Sequence, residues 1–171
     1  MQFAPKLVAN VGEVAEVQIP HDWTELQSHE FAERIVRVWQ YDREPRVRFV
    51  SYQRNGELSL SGAGAFTKIL YDEFNNLNRP ELSTLVELLE ATAKPDVFEI
   101  SAAYTSYLND RRTLRIDGTW IKDAVSSIGI WVDVDGKGRK TQQLAFLAPK
   151  ETFEVYFAEA KAIFGSIRWK P

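Results

Sequence analysis

The sequence predicts an α+β protein, an antiparallel β-sheet with helices packed on it. Three observations carry this. Strand-like stretches come in two runs with a pair of helical stretches between them, and one amphipathic helix closes the chain. Within each run the strands are joined by turns too short for anything but antiparallel pairing. At 171 residues, 44% hydrophobic and 26% charged, the composition is that of a globular protein long enough to bury a core as one domain, residues 1–171.

Residues Met1 to Val11 carry no clear period and are expected as a loose arm. Val14 to Ile19 read as a strand stopped by Pro20, and Asp22 to Glu30 as polar turn. Arg34 to Tyr41 alternates Val36 and Val38 with Arg37, Trp39 and Tyr41. After a turn over Asp42 to Pro45, Arg46 to Gln53 alternates Val47 and Phe49 with Arg46, Arg48 and Tyr52. Asn55-Gly56 is a two-residue hairpin signal, with Glu57 to Ser61 as the return strand. Beyond Gly62-Ala63-Gly64 a helical period runs through Phe66, Ile69, Leu70, Phe74 and Leu77. A second helix has Leu82, Leu85, Val86 and Leu89 as its stripe and stops at Lys94-Pro95. Asp96 to Leu108 is a long strand, turned by Asn109-Asp110.

The last third is the most legible. Thr113 to Ile121 and Ser126 to Val134 are rich in β-branched and aromatic residues, and Ile128, Ile130, Val132 and Val134 alternate onto one face. Asp135 to Gly138 supplies residues that accept positive φ and reads as a hairpin loop to Thr141–Leu147. Pro149 suits a first helical turn, and Phe153, Phe157, Ala160 and Phe164 make one apolar stripe ended by Gly165.

The Gly-Thr-Trp strand, the Gly-rich hairpin, "AFLAPKETF", the amphipathic helix and the terminal "SIRW" together resemble the PsbP/DcrB-like superfamily. Val17-Gln18-Ile19-Pro20 followed by Trp23 is similar to that family's opening strand. The superfamily includes the extrinsic photosystem II protein PsbP and the Ran-binding Mog proteins. The resemblance implies an α/β/α sandwich and roles in binding and assembly.

The chemistry is bounded by what the chain lacks. There is no Cys, hence no thiolate nucleophile, disulfide or Cys-based metal site. His21 and His29 have no i,i+4 His partner, and no G-x-S-x-G elbow is present. Ser61 to Lys68 sits between a strand and a helix where amides can hold phosphate, but its glycine spacing fits neither nucleotide fingerprint. Asp133, Asp135 and Gly138 suggest a calcium loop only faintly, since Lys137 and Leu144 stand where ligands are needed. Asp72, Glu73, Glu81, Glu87 and Glu90 read as solvated helix faces. No catalytic, cofactor or metal residue is therefore assigned, and no cofactor is expected. The net charge of -3 opposes attraction to nucleic acid or anionic membrane. No apolar run has signal or membrane-span length, so no membrane insertion and a cytoplasmic location are expected.

One surface stands out. From Phe31 to Gly56 there are six Arg against three acids. Arg37, Trp39, Arg46, Arg48 and Tyr52 are expected on the outward face of one hairpin, with Val36, Val38, Val47 and Phe49 inward. That composition fits a protein-binding hot spot, a single-strand nucleic-acid platform, or a sheet face whose Arg stems shield its rings. The expected function is a non-catalytic interaction protein (adaptor, chaperone or assembly factor) with an acidic protein partner. The alternative is a small-ligand-binding protein or enzyme with a cleft between the sheet and the middle helices.

Overall fold

A computed structural model describes residues 3–27, 29–31, 34–54 and 56–171, without the side chains of residues 29–31 and 34. Two layers pack on the faces of an eight-stranded antiparallel sheet. Its strands are β3 (Trp23–Glu25), β4 (His29–Phe31), β5 (Arg34–Tyr41), β6 (Glu44–Arg54), β7 (Phe98–Leu108), β8 (Arg111–Trp120), β9 (Val125–Asp133) and β10 (Thr141–Pro149). The order is β3-β5-β6-β10-β9-β8-β7, with β4 also pairing β5. A second sheet of β1 (Lys6–Val11), β2 (Val14–Ile19) and β11 (Arg168–Trp169) joins the two ends of the chain.

The two faces of the large sheet are covered by different layers. On one, helix α4 (Phe153–Gly165) and the small sheet bury Trp39, Phe49, Ile130, Leu144 and Phe146 together with Val17, Ile163 and Phe164. On the other, α1 (Leu60–Leu70), α2 (Arg79–Ser83), α3 (Val86–Leu89) and the 3₁₀ turn Glu90–Ala93 cover Leu114, Ile116 and Trp131 with Phe66, Leu70 and Leu89. No helix among the described residues is long and apolar enough to cross a membrane.

Several expectations are corrected. Lys6–Val11 form a strand, because its amides pair with β2 from Lys6↔Ile19 to Val11↔Val14. The stretch expected as polar turn contains two short strands that share the β5 edge, Trp23–Glu25 and His29–Phe31. Asn55 lies outside the described residues, and Glu57–Ser61 do not return as a strand. Leu58 instead gives its amide to Arg139 of the distant hairpin loop, and Ser59 caps α1 by accepting from the Gly62 amide. The vacated place beside β6 goes to β10, whose Leu144, Phe146 and Ala148 bring more apolar area to the core. Helix α1 ends at Leu70, leaving Phe74 half exposed, and the second helix is broken into α2, α3 and a 3₁₀ turn.

The largest correction is to the faces of the β5–β6 hairpin. Tyr41 pairs with Glu44, but the next pair is Gln40↔Arg48. Pro45, Arg46 and Val47 are left without ladder partners, and Pro45 has no amide to give to one. An odd number of extra residues exchanges the faces. Val38 therefore sits opposite Val50 and Trp39 opposite Phe49. Val36 and Val38 share a face with Arg48 and Tyr52, not with Val47 and Phe49.

Candidate binding groove

The register defines rows of side chains running across the sheet. On the helix-covered face one row reads Val38, Val50, Ala145, Gly129, Ile116, Ala103, and its neighbour Val36, Tyr52, Gln143, Trp131, Leu114, Thr105. Helices α1–α3 cover only the β7–β9 end of these rows. Over β5, β6 and β10 no described helix sits, yet the residues there are Val36, Val38, Val50, Ala145 and Leu147. On the opposite face β7 and β8 carry the half-buried Tyr104, Ser106, Arg115, Asp117 and Thr119, the last three lining a polar depression beside Phe153 and Phe157 of α4. A half-exposed polar patch is an ordinary sheet surface; a half-exposed apolar one is not.

The apolar quadrant is concave. A groove of about 230 Å³ is lined by Val36, Val50, Ala145 and Leu147 with Tyr52, Trp120 and Trp131. Its floor is low because Gly129 lies beneath the Trp131 indole, and a Cβ there would stand 2.9 Å from the ring. One wall is Trp120, whose ring centroid is 4.8 Å from that of Phe98. Gly118 makes room for that wall, since a Cβ on it would come within 2.5 Å of the Phe98 ring. The other wall is where the helix layer stops. There the Tyr52 hydroxyl donates to Glu90 at 2.9 Å and Arg54 donates to the Glu87 carbonyl at 3.0 Å. Glu90 closes α3 with φ 52°, a conformation rarely adopted by a side chain of its kind.

Past Trp120 and Leu147 the groove opens into a shallower depression of about 480 Å³ that also meets Arg46, Arg48 and Asp123. Arg46 forms a bidentate pair with Glu44, both contacts at 3.2 Å. That pairing lowers the Glu44 pKa and raises that of Arg46, but the arginine is 59% exposed and the pair adds little to stability. Arg48 donates to the Pro45 carbonyl at 2.8 Å and to Gln40 at 3.3 Å, with no carboxylate partner among the described residues. No His, Asp, Glu or Lys lines the deep part of the groove among the described residues. It can hold an apolar or aromatic group and present guanidinium to a carboxylate at its mouth.

The predicted interaction residues thus divide. Arg46, Arg48 and Tyr52 belong to the groove. Arg37 and Trp39 lie on the other face, where Trp39 is buried 5.7 Å from Phe49 and Arg37 stacks over it while paired to Glu25 at 2.9 Å. Trp120, Trp131, Val50 and Leu147 were missed. Their signal was the Gly129-Trp131 alternation, hidden by the more apolar Ile128-Ile130-Val132 face beside it.

The weaker motifs acquire structural roles. The α1 N-terminus is filled from within the chain. The Glu87 carboxylate accepts from the Ser59 amide at 2.7 Å and its hydroxyl at 2.6 Å, and these bonds lower the Glu87 pKa. Asp133 is buried and stitches the hairpin loop, accepting from the Gly136 and Gly138 amides and from the Tyr71 hydroxyl at 2.6 Å. Burial and that bond push the Tyr71 phenol up to about 12. His21 is exposed and its ring packs 4.7 Å from that of Phe3. Among the described residues no three His, Asp or Glu converge as a metal site.

A sheet flanked by α4 and the small sheet on one side and by α1–α3 on the other defines a PsbP-like α+β sandwich. Among solved structures the chain is similar to the solution structure of cyanobacterial PsbP (CyanoP) from Synechocystis sp. PCC 6803. The TM-score is 0.61 at 8% identity, over 98% of this chain and 93% of that one. No protein-family model and no curated protein matches the chain. The likeness is one of fold.

Proposed function

We propose that the chain is a non-catalytic interaction protein, an adaptor or assembly factor of the PsbP/DcrB-like superfamily. It takes an apolar or aromatic anchor from a partner protein into the groove and holds neighbouring carboxylates with Arg46 and Arg48. One observation carries this reading: the half-buried part of the sheet over β5, β6 and β10 is apolar and concave. Val36, Val38, Val50 and Leu147 stay only half-buried, and the apolar area still open to water forgoes about 25 cal/mol per Å², which a partner recovers on docking. Rigid aromatic walls lower the ordering cost of binding.

A second reading has its own support. The void lies where the sheet meets the turn bearing Thr92, the cleft between sheet and middle helices in which a small apolar ligand would sit. Photo-crosslinking separates the two. A benzophenone amino acid at Leu147 in the full chain, exposed to native lysate, is expected to capture a discrete protein, and one at Tyr104 is not. Arg46→Glu with Arg48→Glu is expected to weaken that capture, most at low salt, with an unchanged melting curve. Capture of no protein from position 147, together with co-purification of a small apolar molecule, would replace the first reading with the second.

A further inference from the structure

A second surface lies on the opposite edge of the sheet from β5 and is independent of the groove. Tyr71, Phe74 and Tyr107 are 50%, 47% and 56% exposed. They come from the end of α1 and from β7, and they are held still. Phe74 and Tyr107 meet edge-on with centroids 5.0 Å apart. The Arg112 guanidinium stacks over both, 4.5 Å from Phe74 and 5.6 Å from Tyr107. It is itself fixed, donating to the Leu70 carbonyl at 3.0 Å and the Asp72 carbonyl at 2.6 Å. Tyr71 is tied to Asp133. Rings immobilised in solvent lose little entropy on docking, and Tyr with Arg is the composition of interface anchors.

The charge around the patch says what docks there. Asp72 and Glu73 are exposed, sit between Tyr71 and Phe74, and take part in no ion pair among the described residues. Lys68, one turn earlier, forms none with them. Asp110 is exposed at the tip of the hairpin that carries Tyr107 and Arg112. Arg112 is already committed to two carbonyls and two rings. We propose that this patch docks a basic, Lys- or Arg-bearing segment of a protein partner. Its cations meet Asp72, Glu73 and Asp110, and its apolar stems cover Phe74 and Tyr107. The same carboxylates repel anionic lipid and nucleic acid, which places the partner among proteins.

The test is selection of a phage-displayed random peptide library on the full chain at low salt, with two variants as controls: Phe74→Ser with Tyr107→Ser, and Asp72→Asn with Glu73→Gln. Selected peptides are expected to be rich in Lys and Arg and to bind each variant about tenfold more weakly or worse. The second variant changes only exposed charge, so it keeps the test valid if the first fails to fold. Selection of acidic peptides, no enrichment at all, or basic peptides that bind the Asp72→Asn, Glu73→Gln variant equally well would overturn the proposal. Retained selection by the Arg46→Glu, Arg48→Glu variant is expected, and its loss would show that the peptides read the groove instead.

Discussion

Gln142 is fully buried and holds the small sheet to the large one, so its replacement by Leu tests the account of how the layers join. Its amide nitrogen donates to the Val11 carbonyl and the Ser51 hydroxyl, each at 3.0 Å, and its oxygen accepts from the Glu13 amide at 2.8 Å. Leu keeps the volume and removes all three bonds. Water reaches the partly exposed Glu13, but Val11 is 1% exposed and Ser51 3% exposed, so two groups are left dry. Two dry orphans cost about 1–3 kcal/mol each, and the apolar gain of a buried Leu offsets part of that. The net loss is about 2 kcal/mol, or a fall of about 1 M in the urea midpoint with an unchanged slope. Gly12 provides an internal control. It has φ +59°, and a Cβ on it would lie 2.6 Å from the amide groups of Gln142 and Gln53. Gly12→Ala is therefore expected to be destabilising, and the two changes together less than additive, since Leu no longer holds the turn in place. Hydrogen exchange is expected to show the loss of protection in β1 and β2. An unchanged midpoint, or strict additivity, would refute the idea that Gln142 locks that turn.

Three further outcomes are expected. Phe164→Ala costs about 3–5 kcal/mol, because its buried ring packs edge-on against Phe49 at 5.8 Å, whereas Phe157→Ala, half-buried, costs clearly less; urea melts of both decide, and equal losses would mean that α4 faces the sheet differently. Burial, with the Asp22 charge adding to it and the Trp23 indole opposing, raises the Glu159 pKa. The folded chain thus holds this proton more tightly than the unfolded chain, and the stabilisation is present below the ordinary glutamate value and lost as pH rises through the folded one. Glu159→Gln is expected to raise the melting temperature at neutral pH and not under acid conditions, and a gain of the same size at both would point to packing instead. A chelator is expected to leave the melting temperature unchanged, and a fall of several degrees on chelation would reveal a metal site.

Much of this architecture was legible in the sequence. Alternation in Ser126–Val134 and Arg34–Tyr41 marks strands because successive side chains must point to opposite faces. The aromatic stripe of residues 153–164 marks a helix because its residues recur with the helical period. The terminal resemblance and the Gly-rich hairpin pointed to a PsbP-like sandwich, and the fold is of that kind. These features are local, and local periodicity needs no knowledge of partners. The pairing of β6 with β10, across about ninety residues of chain, was not local. Nor was the irregularity at Pro45, which exchanged the faces of the hairpin and split Arg37 and Trp39 from Arg46, Arg48 and Tyr52. The groove lies further still from the sequence. It exists because the α1–α3 layer stops at Glu90 and leaves Val36, Val50 and Leu147 only half-buried. Apolar residues in a strand look the same whether a helix covers them or not. Only the packing of distant layers decides which of them is core and which stays half-exposed.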